Sequence, residues 1–227
     1  GMGLAYYWGN KGEKRMKNTK NSWRGKVEDW RKLLVSAGKP SAELEKLKDS
    51  GKLASHPELT VLIGCLQDPA WHPEGDAWAH TLLCLDSFAA ERLGDELEDY
   101  VVGLAALCHD FGKPSTTRTR EGRIVSRGHE AAGEVSARVF LSRIGVAQAD
   151  IDAVIPLVLC HMRPEQLYDA KSGDSAVRRL ARAVGGRMDR LVRLCRADKG
   201  GRGQVGKPVY PAGEWILEKH RQLSAGQ

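Results

Sequence analysis

Nowhere in the 227 residues do about 18 apolar residues run together. The first ten, GMGLAYYWGN, hold no charged stretch leading into an apolar one. Neither a membrane span nor a secretory leader is expected, and the chain reads as a soluble cytoplasmic protein. Cysteine is sparse as well. Cys65, Cys84, Cys108, Cys160 and Cys195 are scattered without a CxxC pair, and an odd count fits free thiols in a reducing compartment better than a disulfide framework. The sequence also lacks repeats, low-complexity tracts and a convincing domain linker. Strand-like alternation is scarce, and the Thr/Arg-rich STTRTREGRIVSRG reads as a polar loop holding a short hairpin at most.

What the chain does have is length enough for a core without staples, and an uneven charge. The net charge is +6. Through residue 60 there are 13 Lys/Arg against 7 Asp/Glu, and the remainder holds 22 of each. Two readings of the basic, aromatic YYWGNKGEKRMKNTKNSWRGK stand side by side. It could track a phosphate backbone, an RNA contact with stacking from Tyr6, Tyr7, Trp8 or Trp23. The favoured reading is a solvated tail or a packing arm, because charge runs without a folded motif are usually that.

Nearly every segment with a readable period is helical. Asp76 can cap a helix running to about Arg92, in which Trp78, Leu82, Leu85 and Ala89 recur at spacings of three and four. Further helices are expected over roughly 96–109, 129–144, 148–162, 174–184 and 187–198, punctuated by Gly94, Gly112, Gly145 and the Gly185-Gly186 pair. Upstream, VEDWRKLLVSAG and SAELEKLKDSG read as two amphipathic helices ending at glycine. The fold class expected is all-α.

Against that background the stretch LAALCHDFGK places His109 and Asp110 side by side after an apolar run. His80 opens the apolar face of its helix beside Leu83 and Cys84, and His129 starts the helix after the polar loop. His161 continues an inward stripe from Val154 and Val158, and Asp198 one from Leu191 and Leu194. A buried, unpaired carboxylate costs several kcal/mol or becomes protonated, so these groups need partners. A metal is the economical partner, and Mn, Fe, Co, Ni, Zn or Mg all suit imidazole and carboxylate donors. Four histidines and two aspartates exceed what one open ion uses, whereas a pair sharing a bridging carboxylate would use them all. Two such ions can bind a phosphate and activate a water between them. His56 and His220 have no supporting context, and His72 is expected to shape a turn or a rim.

The ordered set, with HDFGK at its centre, resembles the HD superfamily of metal-dependent phosphohydrolases, whose domains are all-α helical bundles. The segments LQDPAWHPEGDAWAHTLL, AALCHDFGKP, GHEAAG, VLCHMRP and RADKGGR are similar to the HD domain that follows the nucleotidyltransferase module in some bacterial CCA-adding tRNA nucleotidyltransferases. The similarity covers residues 43–204, with 1–42 a basic extension and 205–227 a C-terminal helix or tail packed on the domain. The resemblance implies a first ion on His80, His109, Asp110 and Asp198, and a second, where present, on Asp110 as bridge with His129 and His161. It implies a phosphate or leaving-oxygen contact for Lys113, and phosphate contacts for Arg163 and Arg202. No paired aspartates or Gly-Ser phosphate loop stand within residues 1–42, so nucleotide addition is not expected.

The expected activity is hydrolysis of phosphomonoester or cyclic phosphodiester bonds in nucleotides or RNA ends, with Asp110 and Lys113 as the catalytic pair and a metal-activated water as nucleophile. Two rivals use the same residues: a di-iron oxygenase of the superfamily, and a non-catalytic RNA-binding module with a structural metal. The cysteines near the ligands are expected as core, not as ligands. Ala132, Gly133, Ser136 and Ala137 are expected to let helices approach closely. Among Arg178, Arg179, Arg182, Arg187, Arg190, Arg193 and Arg196, one or two are expected to frame the pocket entrance.

Overall fold

The computed structural model describes residues 23–203 and 208–225. Its helices are α1 (Val27–Ser36), α2 (Pro40–Asp49), α3 (Pro57–Thr60), α4 (Ala77–Ala90), α5 (Glu96–Cys108), α6 (Lys113–Thr116), α7 (His129–Ile144), α8 (Gln148–Cys160), α9 (Arg163–Asp169), α10 (Asp174–Ala183), α11 (Met188–Gly200) and α12 (Pro211–Ala225). The described strands, β1 (Arg118–Arg120) and β2 (Arg123–Val125), form one antiparallel hairpin inside the expected polar loop. Glu121 and Gly122, both at positive φ, make its turn. The fold is all-α, as its periodicity predicts.

Helix α5 is the centre. From Asp99 to Cys108 every residue is buried, so it is apolar on all sides and must be surrounded. Helices α1, α4, α8 and α11 pack around it, with α2 on α4 and α7 on α8. Asp76 caps α4 by accepting from the amide of Ala79 at 2.8 Å, as its position predicts. Helix α12 lies over α9, α10 and α11 and buries Ala212 and Ile216.

Helix α1 falls inside the segment expected as a basic extension, yet it buries Trp30, Leu33 and Leu34 against the rest of the core. Residues 1–22, with Tyr6, Tyr7 and Trp8, lie outside the described residues. Trp23 is not a free stacking face: its ring meets Trp30 edge-on at 4.9 Å. The arginines of α11 also depart from expectation. Arg187 and Arg190 grip Glu98, Arg193 pairs with Asp99, and Arg196 with Glu91, so they tie α11 to α4 and the start of α5. None of the seven arginines named above lines the cavity that holds His129, His161 and Asp198. Three-residue spacing turned Arg187, Arg190 and Arg193 toward the acidic start of α5 and Arg196 toward Glu91 at the end of α4 instead.

His56 proves to be a core histidine. It is 4% exposed, meets Trp30 and Phe140 edge-on, and neither ring nitrogen has a hydrogen-bond partner. Burial, and secondarily the Arg143 charge, pushes its pKa below the ordinary 6.5, with Glu58 opposing. Below about pH 6.5 the unfolded chain therefore takes up a proton that the folded chain resists, and stability falls with pH. His56→Leu is expected to lose less stability than the parent between about pH 7.5 and pH 5.5, measured as the shift of the urea midpoint. Equal shifts in the two proteins would contradict a neutral buried imidazole.

Candidate metal centre

Helix ends converge on one point. His109 and His161 directly follow the last residues of α5 and α8, and Asp198 lies in the last turn of α11. His129 is the first residue of α7, and His80 stands in the first turns of α4. Three helix C-termini thus point their partial negative charge at the cluster, which favours a cation there. Two close backbone approaches make the convergence possible. Gly112 packs against α7, where an added Cβ would lie 2.0 Å from the carbonyl oxygen of His129 and 2.5 Å from the amide of Gly133. A Cβ on Gly200 would lie 2.0 Å from the Ser87 hydroxyl, so α11 can rest on α4 only where the side chain is missing. Of the small-residue face expected at Ala132, Gly133, Ser136 and Ala137, Gly133 packs against Gly112 and Ala137 is buried, while Ala132 and Ser136 are half-buried.

All four histidines use Nδ1 to hold their orientation. His109 donates to the carbonyl of Ala106 (2.8 Å), His129 to that of Ser126 (2.8 Å) and His161 to that of Val158 (2.7 Å). His80 donates to Glu74 Oε1 (2.7 Å), which also accepts from His72 Nδ1 (2.8 Å). A carbonyl or carboxylate can only accept, so each neutral ring is left with its lone pair on Nε2. Those lone pairs face one another: Nε2 of His80 and His109 are 3.3 Å apart, and Nε2 of His129 and His161 are 3.1 Å apart.

Asp110 stands between the two pairs. Its Oδ2 is 3.3 Å from His109 Nε2 and 3.8 Å from His80 Nε2, and its Oδ1 is 3.4 Å from His129 Nε2. Both oxygens are buried and neither takes part in a well-formed hydrogen bond. Lys113 Nζ forms an ion pair with Oδ2 at 2.7 Å and donates to Gln67 Oε1 at 2.5 Å. Asp198 Oδ1 is 2.9 Å from His80 Nε2. Burial pushes the Asp110 carboxyl up, yet His109, Lys113 and His129 hold it well below the usual range. Burial above all, with His109 and His129 close beside it, depresses His161 to about 3, so its imidazole is neutral. Burial lowers His80, but Asp198 and Glu74 outweigh it and raise the pKa. A cation among these atoms would satisfy the buried carboxylate oxygens and the facing Nε2 atoms, so the donor set fits a divalent metal ion. His80, His109 and Asp110 offer ligand atoms close enough to share one, as do Asp110, His129 and His161.

The cluster opens into a cavity of about 570 Å³, with Asp110, Lys113, His129, His161, Asp198 and Arg202 on its wall. Arg202 is 3.5 Å from Asp198 Oδ2, and its Nε is buried without a partner. Arg163 stands apart. It is exposed at the start of α9, while the next turn of that helix brings Glu165 and Gln166 to the cavity. Burial raises Cys84, Cys108 and Cys195 far above the ordinary thiol range, and Cys195 Sγ donates to the carbonyl of His161. They are neutral core thiols, as composition predicts. Sequence reasoning missed Glu74 and Gln67. The signal for Glu74 was its place two residues before the cap Asp76, on the turn that reaches back to His80.

Comparison with known proteins gives multifunctional CCA proteins among the relatives. The chain is 32% identical over 210 residues to a multifunctional CCA protein of Halorhodospira halophila, which covers 86% of this chain and 48% of the relative. It is 32% identical over 209 residues to the multifunctional CCA protein of Laribacter hongkongensis (87% and 48%). The corresponding protein of Xanthomonas campestris pv. campestris is 33% identical over 199 residues (84% and 47%). The chain spans about half the length of the curated relatives it matches. A family model for the HD domain matches residues 79–199, more than half the chain and a span that holds all four histidines and both aspartates of the cluster. With that match, and with buried His/Asp groups able to hold a metal, the chain belongs to the HD-domain family, within the superfamily of metal-dependent phosphohydrolases.

Proposed function

We propose that the chain hydrolyses phosphomonoester or cyclic phosphodiester bonds in nucleotides or RNA ends. The observation that carries this reading is Asp110, whose two buried oxygens, Oδ2 ion-paired with Lys113 and neither in a well-formed hydrogen bond, face separate histidine pairs on the wall of an open cavity. In this reading His80, His109, Asp110 and Asp198 hold one divalent ion, and Asp110, His129 and His161 hold a second. Such ions supply Lewis acidity toward a phosphoryl oxygen and lower the pKa of a water enough for it to act as nucleophile. The remaining work falls to the chain itself. Gln67 and Asp110 fix the Lys113 ammonium at the cluster, where it neutralises charge on a phosphate or a leaving oxygen. Arg202 offers its guanidinium from beside Asp198. Carbonyls and Glu74 hold the four rings so that no imidazole must rotate as charge develops. The nucleotide or RNA-end class is supported by the likeness to relatives named CCA proteins.

The test is a panel of 2′,3′-cyclic nucleotides, 2′-, 3′- and 5′-nucleotides and p-nitrophenyl phosphate, offered to stripped protein reloaded with Mn, Ni, Co or Mg. Turnover with metal and none without it is the expected result, and the panel ranks the substrates. No turnover with any ion would overturn the reading. Bound iron with dioxygen-dependent turnover would then favour an oxygenase, and salt-sensitive RNA binding without turnover a binding module.

A further inference from the structure

The cavity is lined by two unlike sets of side chains. One is the cluster with Lys113 and Arg202; the other is apolar and includes Trp71, Ile124, Val125 and Met162. Trp71 is 60% exposed. The other described tryptophans are placed differently: Trp30 and Trp78 are buried, Trp23 packs on Trp30, and Trp215 meets Tyr168 edge-on. Among the described residues no ring lies against the Trp71 indole, so a large flat apolar face stands open to water on the wall of the cavity. Leaving such a face wet forgoes the burial that usually dominates an aromatic side chain's contribution.

The turn that carries the indole is held in place. Asp68 accepts from the amide of Ala70 with Oδ1 (3.0 Å), and its carbonyl accepts from the amides of Trp71 (3.0 Å) and His72 (2.9 Å). The same carboxylate binds Arg123 Nε at 3.1 Å, which ties this turn to the hairpin that supplies Ile124 and Val125. On the other side His72 meets His80 edge-on at 4.8 Å and shares Glu74 with it. This turn is therefore anchored both to the hairpin wall and to the histidine cluster. A cavity of about 570 Å³ falls in the range that encloses a small organic ligand.

We infer that the Trp71 indole is the stacking face for the base of a nucleotide whose phosphate lies at Asp110, Lys113 and Arg202. This rests on the phosphohydrolase reading for the phosphate, and it makes Trp71 a determinant of specificity: phosphate esters with a planar base are selected over those without one. Stacking on an aromatic side chain tolerates any base, so the selection is for a base as such.

Matched substrates that differ only in the base test this: adenosine 5′-monophosphate against ribose 5-phosphate, and adenosine 3′-monophosphate against ribose 3-phosphate. Each is compared in the parent, Trp71→Ala and Trp71→Phe, by steady-state kinetics and by calorimetric titration in the presence of Mn(II). In the parent the nucleotide is preferred. Trp71→Ala is expected to weaken KM and Kd for the nucleotide by about tenfold or more, to leave the base-free ester within about twofold, and to change kcat little. Trp71→Phe is expected to recover most of the loss. An equal loss for both members of a pair, or no loss for either, would overturn the inference, as would a parent with no preference for the nucleotide. Should nothing be hydrolysed while the calorimetric pattern holds, the hydrolytic reading fails and the stacking face stands.

Discussion

Asp110→Ala is expected to abolish metal-dependent hydrolysis, by about 10³-fold or more, and to lower the bound metal measured on the purified protein. The size follows from position. Asp110 faces both histidine pairs, so its removal takes the shared anion from each group at once. It also leaves the Lys113 ammonium buried beside four imidazoles without its counter-charge, which repels any incoming cation. Asp198→Ala is the informative comparison, because Asp198 lies beside His80 and Arg202 and reaches only the first group. It should reduce metal content by less than Asp110→Ala does. Circular dichroism separates loss of the site from loss of the fold. Full metal content and full rate in a folded Asp110→Ala protein would remove the basis for the bridging role.

Gly112→Ala is expected to destabilise the protein by about 3 kcal/mol or more, lowering Tm by roughly 6–12 °C. The added methyl would meet backbone on the opposing helix, the His129 carbonyl at 2.0 Å and the Gly133 amide at 2.5 Å, and neither can rotate away. Helix α7 must therefore move outward, and it carries His129 with it. Activity should fall further than stability, since the surviving folded protein holds His129 away from Asp110 and His161. Gly173→Ala is the control: its φ is −79° and an added Cβ meets nothing within 4 Å, so Tm should change little. Similar Tm values for the two variants would show that the close approach of α6 and α7 is not under constraint.

Much of the fold is legible in the sequence because burial imposes a period. The expected helix over 129–144 matches α7 at both ends, and the others agree to within about two residues. Short turns of helix such as α3, α6 and α9 hold too few residues for a period to show, and they are defined by their packing. His56 carried no pattern of its own; its aromatic box is assembled from α1, α7 and the turn before α3, which are far apart in sequence. The arginines of α11 misled for a related reason. Their spacing fixes which face they share, but the acidic start of α5 that receives them is a tertiary partner.

By itself the sequence determined the all-α class and singled out the four histidines and two aspartates, because helical periodicity aims His80, His161 and Asp198 inward, His109 and Asp110 follow an apolar run, and buried charge demands a partner. The tertiary structure alone decided that the Nε2 atoms face one another in two pairs with Asp110 between them, that Glu74 and Gln67 support His80 and Lys113, that Arg163 is exposed and not on the cavity wall, and that Trp71 shares a cavity with the cluster. The physical reason is that periodicity gives a side chain's direction relative to its own helix. Which atoms meet depends on how closely the helices approach, and that is set by contacts such as Gly112 against α7 and Gly200 against α4.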